Sequence, residues 1–339
     1  MAQQSKTNQT WPILLFTIGV FMAGLDNGII GTALTTINES FGVPPDWGAW
    51  SITLYTLGIA VSVPIIGKFS DRYGRRRLFI IEITLFAIGS LFVALSPNFI
   101  VLLLSRFIQA IGGGGIFIIG SAHILATLPQ EKQGKALGLL GSMHGLSAII
   151  GPNLGAIILS VTGNWQWMFF INLPIAFFLI IFGYLKIPET RAEVTKPLDI
   201  RGIILLTISI LAMMIGLTNI DHSNFLMSLI DVRVIIFMAI GWISLLMFIA
   251  YERQLAQFKG DPIISYRLMS RGSFQMTLFL GLLSGGFISG IMFIPSYVQQ
   301  VLLIPVEKAG FWVTPLALAS GIGAGFGGFL TDKIGAVRT

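Results

Sequence analysis

Asp26, Glu82, Arg106 and Gln109 carry chemistry into stretches of this sequence that otherwise exclude it. Each lies within an apolar run, where a charged group costs about 2.5–3.5 kcal/mol to insert and so turns toward protein or an internal cavity. Asp26 is in mid-run. Its carboxyl can take up and release a proton as access alternates, or attract a cationic solute; the competing reading is a buried structural partner for Arg106. Arg106 keeps its charge, so it can hold a nearby carboxylate ionised until a proton or a cation displaces it. Gln109 follows one turn later on the same helical face and can share that network. Glu82 lies about a turn into its own run, near enough to the end for its carboxylate to reach the aqueous surface. His144 and His123 can titrate near neutral pH, but a lone histidine in a helix is more often a packing residue.

Other chemistries are missing. There is no Cys in 339 residues, which excludes disulfides, thiolate metal sites and a thiol nucleophile together. No paired catalytic carboxylates, metal cluster or nucleophile with a plausible base stands out, so the sequence does not read as an enzyme. The chain is 54% hydrophobic and 11% charged, with a mean hydropathy of +0.84. Such a composition belongs in a lipid bilayer rather than in water. The net charge of +6 does not point to nucleic acid, because the basic residues fall between apolar runs instead of on one solvated face.

Runs long enough to cross a hydrocarbon core about 30 Å thick recur along the chain. Ten are predicted, near residues 11–36, 48–67, 78–96, 99–125, 135–160, 167–186, 201–220, 232–251, 275–297 and 309–330. The first has no small-residue cleavage site and reads as a retained span rather than a signal peptide. Assigning the intervening loops to alternate sides, starting from a cytoplasmic N-terminus, leaves only Arg233 and Lys308 outside. Every other loop or terminal Lys and Arg falls inside, as the positive-inside rule requires, so both termini are expected to be cytoplasmic. The polar stretches Pro188 to Asp199 and Glu252 to Ser273 are too short for a nucleotide-binding domain. The run Gly112 to Gly115 lies in an apolar span and lacks the G-K-[ST] ending of a phosphate loop.

The chain contains an internal repeat. Gly67-Lys68-Phe69-Ser70-Asp71-Arg72-Tyr73-Gly74-Arg75-Arg76-Arg77 follows the second span, and Gly328-Phe329-Leu330-Thr331-Asp332-Lys333-Ile334-Gly335-Ala336-Val337-Arg338 follows the tenth. Gly, Asp, Gly and Arg match in register. The expected roles are close approach of helix ends at Gly67 and Gly328, capping of the following helix by Asp71 and Asp332, and anchoring by Arg72, Arg75, Arg77 and Arg338. A third cluster, Gly151, Pro152 and Gly155, combines a missing backbone donor with small residues, the makings of a pivot or a tight helix seam.

With these motifs the sequence resembles the major facilitator superfamily, and within it the fourteen-helix drug:proton antiporters. The turn motif is the family's G-x-x-x-D-x-x-G-x-x-R. Leu25-Asp26-Asn27-Gly28-Ile29-Ile30-Gly31-Thr32-Ala33-Leu34 is similar to the first-helix signature, and Trp50 with Tyr55, Leu57, Ala60 and Pro64 to the second helix. Arg106-Phe107-Ile108-Gln109 is similar to the R-x-x-Q proton-relay motif, and Gly151-Pro152-Asn153-Leu154-Gly155 to the fifth-helix antiporter motif. Trp165-Gln166-Trp167-Met168-Phe169-Phe170-Ile171-Asn172-Leu173-Pro174 matches the stretch entering the sixth helix. Thr35, Ala110, Ala156 and Gln166 depart from the usual residues, and Gln166 removes an extracellular-side arginine.

The resemblance implies an all-α major facilitator fold: an N-terminal six-helix bundle over 1–187, a linker with two inserted helices over 188–255, and the first two helices of a C-terminal bundle over 256–339. It implies proton-coupled efflux of hydrophobic or cationic small molecules from a bacterial cytoplasmic membrane. The partners are a small-molecule substrate, protons and lipid, with the proton gradient as energy source and no cofactor. Export of one endogenous metabolite or siderophore is the alternative within the class. Four family helices are unaccounted for after the tenth span, so the sequence is expected to be a piece of a longer protein; a genuinely truncated product would instead be a non-transporting or regulatory membrane protein.

Overall fold

The computed structural model describes residues 9–191, 198–221, 224–257, 261–292 and 314–335, with 294, 297–298, 301–304 and 312 between the last two segments. All regular structure among the described residues is helical, as a bilayer demands: only a helix satisfies its own backbone groups along a single segment. In chain order the helices are α1 (Thr10–Phe41), α2 (Pro45–Gly48), α3 (Trp50–Tyr73), α4 (Arg75–Ala94), α5 (Phe99–Gly114), α6 (Ile116–Thr127), α7 (Gln130–Thr162), α8 (Trp167–Phe170) and α9 (Asn172–Lys186). They continue as α10 (Ile200–Thr218), α11 (Phe225–Ser228), α12 (Val232–Gln257), α13 (Tyr266–Met269), α14 (Gly272–Met292) and α15 (Thr314–Ile334).

Eight helical stretches among the described residues are long and apolar enough to cross a membrane: Thr10–Phe41, Pro45–Tyr73, Arg75–Ala94, Phe99–Thr127, Gln130–Thr162, Trp167–Lys186, Ile200–Thr218 and Val232–Gln257. They coincide with the first eight expected spans. The remaining two overlap α14 and α15, each of 21 residues.

The chain divides into two compact units, one formed by Met1–Ala192 with Gly290–Thr339 and the other by Glu193–Ser289. In the larger unit α1 runs through the core. Its residues Leu15, Phe16, Val20 and Met22 join one buried apolar cluster with Phe79, Phe86 and Ile116, and Leu25, Ile29, Ile30, Ala33 and Ile37 join another with Leu102, Trp165 and Phe169. Asp26 sits at the start of the second cluster, so the helix that carries the charge is held by apolar packing on either side of it.

What lets α1 and α7 touch is the absence of side chains. A Cβ on Gly28 would lie 2.7 Å from Pro152 Cδ and 3.0 Å from Gly151 Cα, and one on Gly151 would lie 2.8 Å from the Leu25 carbonyl. Thus Gly151 and Pro152 form a backbone-to-backbone seam against the turn of α1 that follows Asp26, and Gly155 continues it beside Thr32. Gly28→Val is expected to lower the thermal midpoint of the detergent-solubilised protein, at a cost of about 1–3 kcal/mol from overpacking. Gly31→Val is the control, since a Cβ there meets nothing within 4 Å. Equal midpoints for the two variants would remove the seam from the argument.

The smaller unit is built on α10 and α12, packed antiparallel. Their hydroxyls bond across the interface: Ser209 donates to the Gly241 carbonyl at 2.9 Å and Ser244 to the Leu205 carbonyl at 3.0 Å. Small polar residues of this kind tie helices together where the surroundings offer no water.

Candidate functional site

Asp26 on α1 and Arg106 on α5 form an ion pair, Oδ2 to Nη1, with neither side chain accessible to solvent. Gln109, one turn along α5, closes the network from both ends: its Oε1 accepts from Arg106 Nη1 at 2.7 Å and its Nε2 donates to Asp26 Oδ1 at 2.7 Å. The same amide reaches the Ser90 hydroxyl on α4 at 2.8 Å. Asn172, the first residue of α9, donates to Asp26 Oδ1 at 3.3 Å and to Ser90 Oγ at 3.2 Å. Ser90 and Asn172 are fully buried as well.

The guanidinium has further neighbours on α3 and α8. Its Nε donates to the Ser51 carbonyl at 3.4 Å, and its Cζ lies 4.0 Å from the centre of the Tyr55 ring and 5.8 Å from that of Phe169. A cation against aromatic faces away from water is held by the ring quadrupoles. Gly89 sets the approach of α4 to α5: a Cβ there would come within 2.5 Å of the Gln109 backbone. Arg106 Nη2, Asn172 Oδ1 and the Tyr55 hydroxyl are buried without a hydrogen-bond partner, spare donors and acceptors beside the ion pair.

Three of the four residues singled out from the sequence therefore meet, and Glu82 does not join them. It is fully buried rather than turned to the surface. Its Oε2 accepts from the Gly115 backbone N–H at 2.9 Å, where α5 gives way to α6. An N–H freed at that break needs an acceptor in an apolar medium, and the carboxylate supplies it. Ser90, Asn172 and Tyr55 are the members that attention to charge passed over. Tyr55 and Asn172 stood within the family-like motifs; Ser90 carried no signal at all. His123 is buried too, its ring nitrogens 3.3 Å from Gln9 Oε1 and 3.4 Å from Thr190 Oγ1.

The turn motif between α3 and α4 departs from two expectations. Asp71 does not cap α4. It lies in the last turn of α3 and pairs with Arg75 at 2.8 Å. The first turn of α4 is served instead from the end of α9: Glu189 Oε1 accepts from the Arg76 N–H at 3.1 Å, and the Thr190 carbonyl from the Arg75 N–H at 2.9 Å. Gly67 makes no close approach either, since a Cβ there would meet only Ile118 at an ordinary 3.5 Å. Gly74 is the demanding position, with φ +103° and its absent Cβ facing the Glu189 carboxylate. Arg72 lies over the Tyr73 ring at 5.8 Å, and Arg77 is exposed.

The second copy repeats the backbone event. Gly335 has φ +86° and donates its N–H to the Thr331 carbonyl at 3.0 Å; Gly74 donates to Ser70 at 3.1 Å. Gly328 does make the tight contact, 2.6 Å from a built Cβ to the Gly134 carbonyl and 3.0 Å to Gly138 Cα, which seats α15 on α7. Arg338 and the Asp332 side chain lie outside the described residues.

Gly74→Ala is expected to destabilise the larger unit by about 1–3 kcal/mol through its left-handed backbone alone, with the Glu189 collision in addition. Glu189→Ala should cost about 0.5–2 kcal/mol, the usual value of a helix cap. Thermal unfolding in detergent reads both. If Gly74→Ala proves milder than Glu189→Ala, the strain at Gly74 is overstated.

Fold and site together define a many-helix membrane protein that keeps an ionised pair at the junction of its helices, out of reach of water. The chain belongs to the Major Facilitator Superfamily, whose family model matches residues 16–339; members of that family are transporters, not enzymes. It is 60% identical over 338 residues to the uncharacterized MFS-type transporter YfiU of Bacillus subtilis (strain 168), an alignment covering 100% of this chain and 65% of that protein. It is 33% identical over 333 residues to Multidrug resistance protein 3 of the same organism, covering 98% of this chain and 63% of that protein. The chain thus spans less than two thirds of the length of these curated relatives. The solved structure of the proton:xylose symporter XylE bound to 6-bromo-6-deoxy-D-glucose matches with a TM-score of 0.66 at 14% identity, over 96% of this chain and 69% of that one. At that identity the likeness is one of fold.

Proposed function

We propose that this chain serves proton-driven export of hydrophobic or cationic small molecules, as a drug:proton antiporter of the bacterial cytoplasmic membrane with both termini on the cytoplasmic side. The observation that carries the reading is the buried Asp26–Arg106 pair with Gln109 bonded to both partners. A proton arriving on Asp26 cancels the carboxylate charge and with it the attraction to Arg106. The guanidinium cannot release its own proton, so it must find other acceptors, and the helices bearing the two residues are free to shift. A cationic solute drawn to Asp26 competes for the same carboxylate. Two cations that exclude each other at one site, each bound in turn as the site faces opposite sides, exchange by antiport.

The energy source is the proton gradient, and no cofactor enters. A proton descending one pH unit supplies about 1.4 kcal/mol, and its charge crossing 100 mV supplies about 2.3 kcal/mol. For a neutral solute the sum supports a concentration ratio of several hundredfold, at about 1.4 kcal/mol per tenfold; for a monovalent cation exchanged one for one the charge movements cancel, and the pH difference alone supports about tenfold per unit. The name Multidrug resistance protein 3, borne by a relative 33% identical to this chain, supports the choice of varied substrates over a single metabolite. The test is uptake of a lipophilic cation into inverted vesicles energised by an acid interior. Accumulation should collapse when a protonophore is added; accumulation that survives the protonophore would refute proton coupling.

A further inference from the structure

Glu82 and the run Gly112 to Gly115 take no part in the ion pair at Asp26, yet they meet each other. In an unbroken helix the Gly115 N–H would donate to the Ile111 carbonyl four residues back. Here α5 ends at Gly114 and α6 begins at Ile116, and each of these two groups turns to a neighbouring helix. The N–H donates to Glu82 Oε2 on α4 at 2.9 Å, and the Ile111 carbonyl accepts from the Ser62 hydroxyl on α3 at 3.0 Å. Side chains inserted into the ladder of a helix are a physical cause of bending. Glycine makes room for both. A Cβ on Gly112 would lie 2.3 Å from the Phe86 backbone nitrogen on α4, one on Gly114 would lie 3.1 Å from Ser62 Cβ, and one on Gly115 would lie 2.5 Å from Glu82 Oε2. The run of glycines also leaves the chain free to change its dihedral angles at this point.

Holding an N–H does not by itself call for an acid. Glu82 is fully buried, its second oxygen, Oε1, has no hydrogen-bond partner, and among the described residues no cation pairs with it. The two forms of its carboxyl therefore stand differently in this place. Ionised, it leaves an unmatched charge in an apolar interior; neutral, it leaves a single O–H. Water relieves the first and matters little to the second. Water reaches Oε1 when the elements around it part, and the α5–α6 break, with its ladder already open, is where they can.

The surrounding helices bring other ionisable groups, none of which forms an ion pair or hydrogen bond with Glu82. Tyr55 on α3 faces Gly113, its hydroxyl 3.1 Å from a Cβ built there. Lys68, Asp71 and Arg72 lie in the last two turns of α3, Lys186 ends α9, and Arg77 in the first turn of α4 is exposed. The network of Asp26 and Arg106 reaches α4 at Ser90, eight residues and about 12 Å along the helix from Glu82. His123 on α6 is eight residues beyond Gly115.

We propose that Glu82 is a second proton-binding carboxyl and the positioning residue of a hinge at Gly115: neutral, it keeps the α5–α6 break shut, and ionised, it opens the break to water. Its proton leaves Oε1 for a water entering the break and returns to that oxygen as the break closes. Only its place in a transport cycle rests on the proton-driven reading above; the hinge is tested without transport. The chain has no Cys, so Leu125→Cys near the end of α6 and Leu185→Cys near the end of α9, both more than half exposed, give a single pair of spin labels. Their separation in nanodiscs, read by pulsed electron resonance, should shift by about 5 Å between acid and alkaline buffer, the sweep of an arm of about 15 Å through about 20°. In Glu82→Gln, which still offers an oxygen to the Gly115 N–H but cannot ionise, the separation should keep its acid value in both buffers. Glu82→Leu stands in if that variant misfolds and should likewise show no shift with pH. Asp26→Asn, which removes the coupling carboxyl, should shift as the parent does, so failure of proton-driven transport and failure of the hinge are separate results. No shift in the parent, a parental shift in a Glu82 variant, or loss of the shift in Asp26→Asn overturns the proposal.

Discussion

Asp26→Asn loses proton-driven accumulation of a lipophilic cation, a fall of about tenfold for each pH unit of imposed gradient in one-for-one exchange, while the protein still inserts in the membrane. The substitution keeps the shape of the side chain and an amide oxygen where the carboxylate stood. It removes the one group of the network that can alternate between charged and neutral beside a fixed cation. Arg106 retains the Gln109 carbonyl, the Ser51 carbonyl and the Tyr55 ring, which limits the penalty of leaving it without its counter-charge. Vesicle transport and the yield of membrane-inserted protein are the two readouts. Parental accumulation in the variant would sink the assignment of Asp26 as the coupling carboxyl.

Arg106→Gln is the larger structural insult, expected to cost about 3–5 kcal/mol, the usual result of removing one partner from a buried ion pair. The lost contacts reach α1, α3 and α8 at once. In the double variant Asp26→Asn/Arg106→Gln neither partner is left as an unpaired charge in the network, so its loss should fall short of the summed single losses by about 1–3 kcal/mol, a coupling typical of residues in one network. Thermal unfolding of the four proteins in one detergent closes the cycle. Strict additivity would mean that the pair is not an interacting unit. Transport should stay absent in the double variant even where stability returns, because repairing the packing does not restore a titrating group.

Much of this site was legible in the sequence. A charge within an apolar run is costly enough to be placed with confidence inside the bundle, and the three-residue spacing of Arg106 and Gln109 puts both on one face of one helix. Asn172 and Ser90 were not legible as members, since a neutral amide or hydroxyl in a span has ordinary alternatives, such as bonding back to its own helix as Ser105 does to Val101. Glu82 shows the limit from the other side. Its type and depth suit proton traffic, yet its partner is a backbone N–H at a helix break that no composition rule foresees. The turn motif divides similarly: Gly74 and Gly335 reveal themselves by type, because a left-handed backbone selects glycine, whereas the capping of α4 by Glu189 joins residues 113 positions apart.

By itself the sequence determined that the chain belongs in a bilayer, where its helices lie and which ionisable groups they carry inward. These follow from local terms: the transfer cost of each side chain and the periodicity of a helix. Only the tertiary structure decided that Asp26 pairs with Arg106 under a tyrosine ring, that Gly28 and Gly151 are a seam while Gly67 is not, and that Glu82 meets the Gly115 backbone. Each depends on which helices become neighbours, and that choice is made by the summed packing of the core, to which no single residue testifies.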